Sequence, residues 1–232
     1  CRIPKIYNAS IMHKSIILHH HLGLGDHFVC NGMVNVLSNK YNIYLPVKKH
    51  NYETVNYLYC ENKNVTLFSI DGKNENKEIN NFSNANKISV HKITCTASDL
   101  SRWDKAFYEH AGIDFSERYN SFKLPNQKSQ TCLKTPQNPY ILIHNSSSKK
   151  TYDLLIKSEN INKQYVKILQ GHHMLDYLDM IYLADEIHCI DSSFFHLVDS
   201  IPNLNAGLFF HDVRKNITNF QKTKKWNIKR YE

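Results

Sequence analysis

An apolar strand that runs straight into a tight turn and a helix start, close to the N-terminus, constrains the fold more than any other feature. The apolar run over residues 15–19 predicts a strand, and residues 28–37 have the spacing of a helix. Gly23 and Gly25 supply the backbone freedom that such a turn needs. Asp26 follows the second glycine, where a carboxylate is a good N-cap and can cap, catalyse, or do both.

The first half of the chain continues to alternate strand-like and helix-like stretches, which favours parallel βαβ units. Further strands are predicted at 42–47, 65–70 and 87–91, and helices at 28–39, 52–60 and 98–111. Ser98 or Asp99 would cap the last of these helices. The polar stretch 71–86 is predicted to be a loop.

Three prolines and many polar residues between positions 124 and 139 have the composition of a linker or an exposed crossover, and they predict a domain boundary. The second half restarts the pattern, with strands predicted at 140–144, 165–170, 187–190 and 208–210, helices at 175–184 and 192–200, and a polar C-terminal tail. The expected fold class is α/β, with two small Rossmann-like parallel-sheet domains, 1–125 and 126–232, that face each other across a cleft.

The composition is that of a folded globular chain with a basic surface. Of the 232 residues, 41% are hydrophobic and 12% are aromatic, and disordered chains are poorer in both. The formal net charge of +8 favours anionic partners such as nucleic acid, acidic lipid or phosphorylated metabolites. Only residues 222–230 resemble a basic cluster, and they fit either a solvated surface or a nucleic-acid patch.

The six cysteines favour a reducing compartment, because they are widely spaced and form no C-x-x-C pair. Several stand in apolar surroundings, as reduced core thiols do. The chain has no run of about 18 apolar residues, and it opens on Cys-Arg-Ile-Pro rather than on a signal peptide. We therefore expect a cytoplasmic location and no transmembrane segment.

The glycine turn is not a dinucleotide-binding fingerprint. It lacks a third glycine, and no acidic residue ends the next strand, so a Rossmann oxidoreductase is disfavoured. The consecutive histidines 19–21 would alternate sides in an extended strand and could not all bind one metal, so no metal site is predicted. The residues predicted to line the acceptor side of the cleft, beside Asp26, are His21, Gly23, Gly25 and His27.

Two polar segments of the second half follow predicted strands, at the edge where open parallel sheets bind ligands. The loop after His144 offers hydroxyl and ammonium groups that can hold phosphate, although a plain surface loop has the same composition. Asp191 precedes a helix start whose N–H groups would attract a diphosphate, or which Asp191 or Ser192 merely caps. The candidate donor-site residues are His144, Ser146, Ser147, Lys149, Lys150, Asp191, Ser192, Ser193 and His196.

These segments resemble nucleotide-sugar-dependent glycosyltransferases of the GT-B fold, and most closely the ADP-heptose:lipopolysaccharide heptosyltransferase family. Leu24-Gly25-Asp26 matches a Gly-Asp turn of that family whose Asp is taken as the catalytic base. The α-1,6 and O-fucosyltransferase families share the general layout more distantly, but their Arg pair is absent from this sequence.

The second half carries two further points of resemblance to the heptosyltransferase family. His144 and Lys149 or Lys150 are similar to a His-Pro-Gly-like loop and a lysine near phosphate, although Asn-Ser follows the histidine here. The run Asp191-Ser192-Ser193 with His196 is similar to the family's late strand, Asp, small polar residue and His-containing helix.

The resemblance implies an inverting transfer of a sugar from a nucleotide-diphosphate donor to a hydroxyl of a glycan or glycoconjugate, with Asp26 as general base. It implies no cofactor other than the nucleotide-sugar co-substrate, and no nucleic-acid partner. Two other classes remain open, namely a non-catalytic nucleotide-binding or interaction module and a basic nucleic-acid-binding protein. The shortage of basic–aromatic clusters outside the tail disfavours the last of these.

Overall fold

The computed structural model describes residues 13–95, 102–126, 133–156, 163–169, 172–214 and 224–231. These residues contain two wholly parallel β-sheets with helices packed against them, so the predicted α/β class is confirmed. A parallel pair of strands needs a long crossover connection, which explains why helical stretches alternate with strands along the sequence.

The first sheet has the strand order β3-β2-β1-β4. Its strands are β1 (Lys14–His19), β2 (Tyr41–Lys48), β3 (Val65–Ile70) and β4 (Ser89–Lys92). The helices of this half are α1 (Leu24–Val29), α2 (Asn31–Ser38), α3 (Tyr52–Tyr59), α4 (Glu75–Asn86), α5 (Trp103–His110) and α6 (Glu117–Asn120), with a 3₁₀ turn at Lys49–Asn51. The central strand β1 buries Ile16, Ile17 and Leu18, as a strand covered on both faces does.

The second sheet has the strand order β6-β5-β7-β8-β9. Its strands are β5 (Tyr140–His144), β6 (Gln164–Lys167), β7 (Glu186–Ile190), β8 (Gly207–Asp212) and β9 (Asn227–Arg230). The helices of this half are α7 (Leu178–Leu183), entered through a 3₁₀ turn at Met174–Tyr177, and α8 (Ser193–Ser200). Each strand predicted from the sequence is present, but β9 lies in the tail that was expected to lack regular structure.

The prediction of a loop over residues 71–86 is wrong, because α4 occupies most of that stretch. The Asn74 side chain accepts the N–H of Lys77 at 3.2 Å and so caps the helix. Ile79 is the buried residue of the helix, and Phe82 stacks on Phe68 with ring centroids 3.8 Å apart. Capping and this narrow apolar contact therefore hold a helix whose sequence is otherwise polar.

The helix predicted after the glycine turn begins earlier and is broken in two. It starts at Leu24 rather than Phe28, and Cys30 separates α1 from α2. Asp26 is not the N-cap of α1, since that position belongs to Gly23; the Asp26 carboxylate accepts the Gly23 N–H at 3.1 Å from inside the first turn. The proposed caps Ser98 and Asp99 lie outside the described residues.

The two halves share one continuous apolar core, in which helices of the first half pack on α8 of the second. A buried ionic cluster crosses the same junction. The Arg118 guanidinium is bonded to Asp104 and lies 3.6 Å from the Asp199 carboxylate, which also accepts the indole N–H of Trp226 at 2.9 Å. The two sheets are separate along the chain, whereas the exact limits predicted for the domains, 1–125 and 126–232, stay a prediction.

Candidate functional site

The turn that carries Asp26 lies at the carboxyl end of β1, where the strand delivers the chain into α1. Asp26 stands in the first turn of the helix and is partly exposed. Its Oδ2 atom accepts the N–H of Gly23, which fixes the carboxylate at the mouth of the turn. The side chain is thus oriented by its own local backbone and does not depend on a distant partner.

Burial is the main influence on the Asp26 carboxyl group and raises its pKa above the ordinary aspartate range. His21, the Gly23 N–H and Lys48 act in the opposite direction. Lys48 comes from the end of β2 and pairs with Glu75 at 2.6 Å, so the edge of the first sheet holds charges of both signs. A carboxylate with a raised pKa is a better proton acceptor than a solvated one.

The start of α8 follows β7 and is not capped by its N-cap side chain. The Ser192 hydroxyl is instead bonded to the Ile190 carbonyl at 3.2 Å and to Nδ1 of His144 at 3.1 Å. His144 ends the neighbouring strand β5 and stacks on Phe194 with centroids 5.0 Å apart. The Ser192 hydroxyl therefore does not accept a hydrogen bond from the N–H groups of Ser193 and Phe194, and the helix start keeps its affinity for an anion.

Gly25 brings these two strand ends together. A Cβ atom at this position would lie 3.5 Å from Cα of Ser193 and 3.1 Å from Cδ2 of His196, so α1 and α8 meet directly at a glycine. Asp26 is the next residue in the chain. The backbone of the predicted base therefore lies one residue from the point where α1 meets the predicted anion-binding helix start.

The predicted donor loop is a tight hairpin over residues 145–152. The Asn145 side chain donates to the Tyr152 carbonyl at 2.6 Å, and the Ser146 hydroxyl is bonded to that of Thr151 at 2.9 Å. The Ser147 hydroxyl accepts the N–H groups of Lys149 and Lys150, each at 3.2 Å. Both serine hydroxyls thus serve the hairpin itself.

The ammonium groups of the hairpin are exposed to solvent. The Lys150 Nζ atom lies 4.6 Å from the centroid of the Tyr152 ring, within the range of a cation–π contact. Lys149 is exposed on the same turn. What the hairpin can offer a phosphate is therefore positive charge rather than serine hydroxyls.

Arg214 is a residue that the sequence reasoning missed. It follows β8, and its guanidinium donates to the Asp191 carbonyl at 2.7 Å and lies 3.6 Å from the Asp191 carboxylate. This places a guanidinium at the residue that precedes the start of α8. The available signal was a basic residue a few positions after the last predicted strand of the second half, at the same sheet edge as Asp191.

Three of the predicted site residues, His27, His144 and His196, are buried inside the protein. His27 has no exposed surface and packs edge-to-face on His20. His196 is also buried, between Gly25 and the Trp103 ring, whose centroid lies 5.2 Å from its own. In this conformation His27 cannot line a cleft, and His196 supports the helix packing under the site.

Among the residues that the structure describes, no three His, Cys, Asp or Glu side chains gather closely enough to hold a metal ion. No helix in that part of the chain is both long and apolar enough to cross a membrane.

A cleft of about 750 Å³ lies elsewhere, lined mainly by helix ends and loops of the first half together with Tyr182 and Pro202 of the second. Asn35, Ser38 and Asn62 stand in its wall, and their polar side chains bond to one another. Because these groups satisfy each other and stand away from Asp26 and Ser193, the cleft belongs to the structural junction rather than to the candidate site.

Two parallel-sheet halves that meet through α1 and α8 form a GT-B-like fold, and solved glycosyltransferase structures are similar to it. A family 9 glycosyltransferase from Veillonella parvula has a similar structure, with a TM-score of 0.60 and 12% identity over 96% of this chain and 90% of that chain. The iron-containing dodecameric glycosyltransferase TibC from enterotoxigenic E. coli gives a TM-score of 0.51 and 8% identity over 86% of this chain. This chain spans only 58% of the TibC chain.

The E. coli heptosyltransferase WaaC, in its structure with ADP-2-deoxy-2-fluoro heptose, is also similar, with a TM-score of 0.49 and 9% identity over 94% of this chain and 93% of that chain. No family model and no curated protein sequence matches this chain. The likeness to the Veillonella and TibC structures, at 12% and 8% identity, shows the fold alone, and the activity has to be argued from the site.

Proposed function

We propose that the protein is a glycosyltransferase that moves a sugar from a nucleotide-diphosphate donor to a hydroxyl group of a glycan, with inversion at the anomeric carbon. The first half would hold the acceptor and the second half the donor. The close approach of Gly25 to Ser193 is the observation that supports the proposal, because the residue after Gly25 carries a carboxylate and Ser193 begins a helix whose N-terminus can attract an anion.

In the proposed reaction Asp26 accepts the proton of the acceptor hydroxyl while that oxygen attacks the anomeric carbon. A bond forms between the acceptor oxygen and the anomeric carbon. The bond from that carbon to the phosphate oxygen breaks, and the nucleoside diphosphate leaves with the electron pair. Attack from the face opposite to the leaving group inverts the anomeric configuration.

The negative charge that grows on the leaving diphosphate needs stabilisation, and the second half offers three sources of it. The N-terminus of α8 presents backbone N–H groups, Arg214 lies beside Asp191, and Lys149 and Lys150 stand on the hairpin that follows β5. Such preorganised donors commonly contribute several kcal/mol, about 2.7–4 for each one removed. With them the proposed reaction needs no divalent metal and no cofactor besides the donor itself.

The six cysteines are widely spaced in the sequence and form no C-x-x-C pair, which supports a reducing compartment, and we place the proposed reaction in the cytoplasm.

A thermal-shift screen against ADP-, GDP-, UDP- and dTDP-sugars tests the proposed function first. A ligand that binds only the folded chain raises the melting temperature, and saturation at 100 times Kd corresponds to about 2.7 kcal/mol. We expect one nucleotide family to raise the midpoint, with its diphosphate more effective than its nucleoside. No shift with any of them, together with DNA binding that falls steeply with salt, would favour the nucleic-acid alternative.

Removing positive charge at the donor side should weaken binding of that nucleoside diphosphate. We expect the double variant Lys149→Ala/Lys150→Ala and the single variant Arg214→Gln each to raise its Kd several-fold in calorimetry, with nucleoside binding unchanged. The matched control is Lys63→Ala/Lys123→Ala, which removes the same charge from exposed lysines of the structural cleft. Equal weakening by the control would mean that only the overall charge matters, and unchanged affinity in the site variants would exclude these cations from the donor site.

A further inference from the structure

One face of the second sheet carries a chain of partly and fully buried polar side chains that the proposed reaction does not use. Lys163 and Glu186 are joined at 2.8 Å, and the second carboxylate oxygen of Glu186 meets His188 Nε2 at 3.2 Å. His188 Nδ1 lies 2.8 Å from Nε2 of His211. His188 and His211 are both buried, on the adjacent strands β7 and β8.

Beyond His211 the chain of contacts leaves the sheet and reaches the segment that follows the donor hairpin. The His211 Nδ1 atom lies 2.6 Å from the Tyr231 hydroxyl, just past the end of β9, and that hydroxyl accepts the N–H of Leu155 at 2.9 Å. We call the whole series, from Glu186 through His188, His211 and Tyr231 to Leu155, the relay.

The carboxylate end sets the direction of every hydrogen bond in the relay. A carboxylate only accepts, so His188 donates through Nε2, and its neutral ring must then accept at Nδ1. His211 donates to it through Nε2 and accepts at Nδ1, which leaves the Tyr231 O–H as the donor to that nitrogen. Tyr231 in turn accepts from Leu155. One pattern of protons therefore satisfies all the groups when both imidazoles are neutral.

Both imidazoles are neutral at pH 7. Burial lowers the pKa of His211 to about 4 and also lowers that of His188. Lys229, from β9, lowers both pKa values further, and Lys163 lowers that of His188, while Glu186 raises the pKa of His188 without overcoming burial.

The segment that Tyr231 holds is an extended strap, residues 152–156, which begins where the donor hairpin ends. Its side chains alternate between partly buried and exposed from Tyr152 to Ile156, as an extended chain does. It runs from the hairpin that follows β5 toward the Tyr231 hydroxyl, which accepts the Leu155 N–H and lies 2.6 Å from Nδ1 of His211 on β8.

We propose that Tyr231 is a positioning residue for the donor site: the relay orients its hydroxyl, and the hydroxyl holds the strap and, through it, the lysine-bearing hairpin. This inference rests on the proposed function. The strap continues directly into the segment with Lys149 and Lys150, and His211 lies on the same strand that leads to Arg214. Loss of the Tyr231 anchor would let the hairpin move relative to the start of α8.

Tyr231→Phe tests the inference, because it removes the hydroxyl and keeps the ring. Tyr177→Phe is a matched control, since the Tyr177 hydroxyl likewise accepts a backbone N–H, from Leu169 at 3.0 Å, on the segment that leads out of β6. Calorimetry with the nucleoside diphosphate found in the screen should show Kd raised about fivefold in Tyr231→Phe, the effect of one ordinary hydrogen bond, and unchanged in Tyr177→Phe. Turnover with saturating donor should also fall in Tyr231→Phe, because the hairpin lysines stabilise the charge on the leaving diphosphate, and it should keep its wild-type value in Tyr177→Phe.

A second measurement needs no ligand and no variant. Nitrogen-15 NMR of the histidine rings at pH 7 should show His188 and His211 as neutral Nε2–H tautomers, and an Nδ1–H tautomer for either would overturn the relay. A wild-type chain that binds none of the nucleotides overturns the proposed function and this inference together. If the wild-type chain binds a diphosphate and Tyr231→Phe binds it equally well, the inference alone fails.

Discussion

The Asp26→Asn variant is expected to lose transfer activity by a factor of about 10² to 10⁴, the range that a positioned general base contributes. Asparagine keeps an oxygen that can accept the Gly23 N–H, so the turn should keep its shape. Donor binding should be almost unchanged, because the proposed donor contacts come from the second half. The measurement is sugar transfer at saturating donor, with donor Kd measured in parallel by calorimetry.

A matched control for this variant is Asp71→Asn, which removes an exposed carboxylate that follows β3 at the same edge of the first sheet and pairs with Lys49. We expect it to turn over at the wild-type rate. In the pH–rate profile of the wild-type chain, the apparent pKa of the acidic limb should lie above the ordinary aspartate range, because burial raises the pKa of Asp26. Near-normal turnover of Asp26→Asn would show that Asp26 is not the general base, and it would not contradict the proposed donor site.

The sequence predicts the fold well where burial and turn chemistry coincide. The run that becomes β1 is apolar on both faces and ends in glycines, and the run that becomes β7 ends in small polar residues before a helix. The helix α4 and the strand β9 escape prediction because little of either is buried. Ile79 is the buried residue of α4, and all four residues of β9 are exposed. A side-chain cap determines where α4 begins, and pairing with β8 determines β9. The spacing of apolar residues along the sequence predicts neither of these interactions.

The candidate site is predictable in part for a topological reason. The carboxyl ends of parallel strands gather at one edge, so Asp26 after β1 and Ser192 after β7 are expected at the ligand edges of their sheets. Which of the nearby side chains reach solvent depends on the packing of α1 on α8, and that is a tertiary property. A histidine in a sequence can be either a ligand-binding residue or a core residue. The sequence therefore predicts His27 and His196 in the site, whereas the structure buries both of them.

The largest expected effect on stability comes from acid, because this fold buries an unusual number of histidines as neutral rings. Burial lowers the pKa of His20, His144 and His211 to about 4 and that of His196 to about 3. In the unfolded chain these groups titrate near 6.5. Between about pH 6.5 and pH 4 the unfolded state therefore binds more protons than the folded state, and stability rises with pH across that window.

The stability that these rings contribute is fully present above pH 6.5 and is lost as the pH falls toward 4. Each ring whose pKa falls from 6.5 to about 4 accounts for about 3 kcal/mol of that loss. Four such rings together match the whole stability of an ordinary domain, which is roughly 5–15 kcal/mol. We expect the urea midpoint to fall as the pH is lowered from 6.5 toward 4, and a midpoint at pH 4.5 equal to that at pH 7 would contradict the buried neutral assignment.

His27→Leu separates this effect from general acid sensitivity. His27 is fully buried, burial lowers its pKa strongly, and neither ring nitrogen has a hydrogen-bond partner among the described residues. Replacing an unsatisfied buried polar ring by an apolar side chain should leave the chain at least as stable at pH 7, and the slope of stability against pH should fall by about one proton below pH 6.5. His110→Gln, at an exposed position on α5, should keep the wild-type slope. A His27→Leu variant that unfolds at pH 7 would show that the ring is held by a partner such as an ordered water, which the leucine leaves unsatisfied. An unchanged slope would show that the folded and unfolded chains bind the same number of protons at His27.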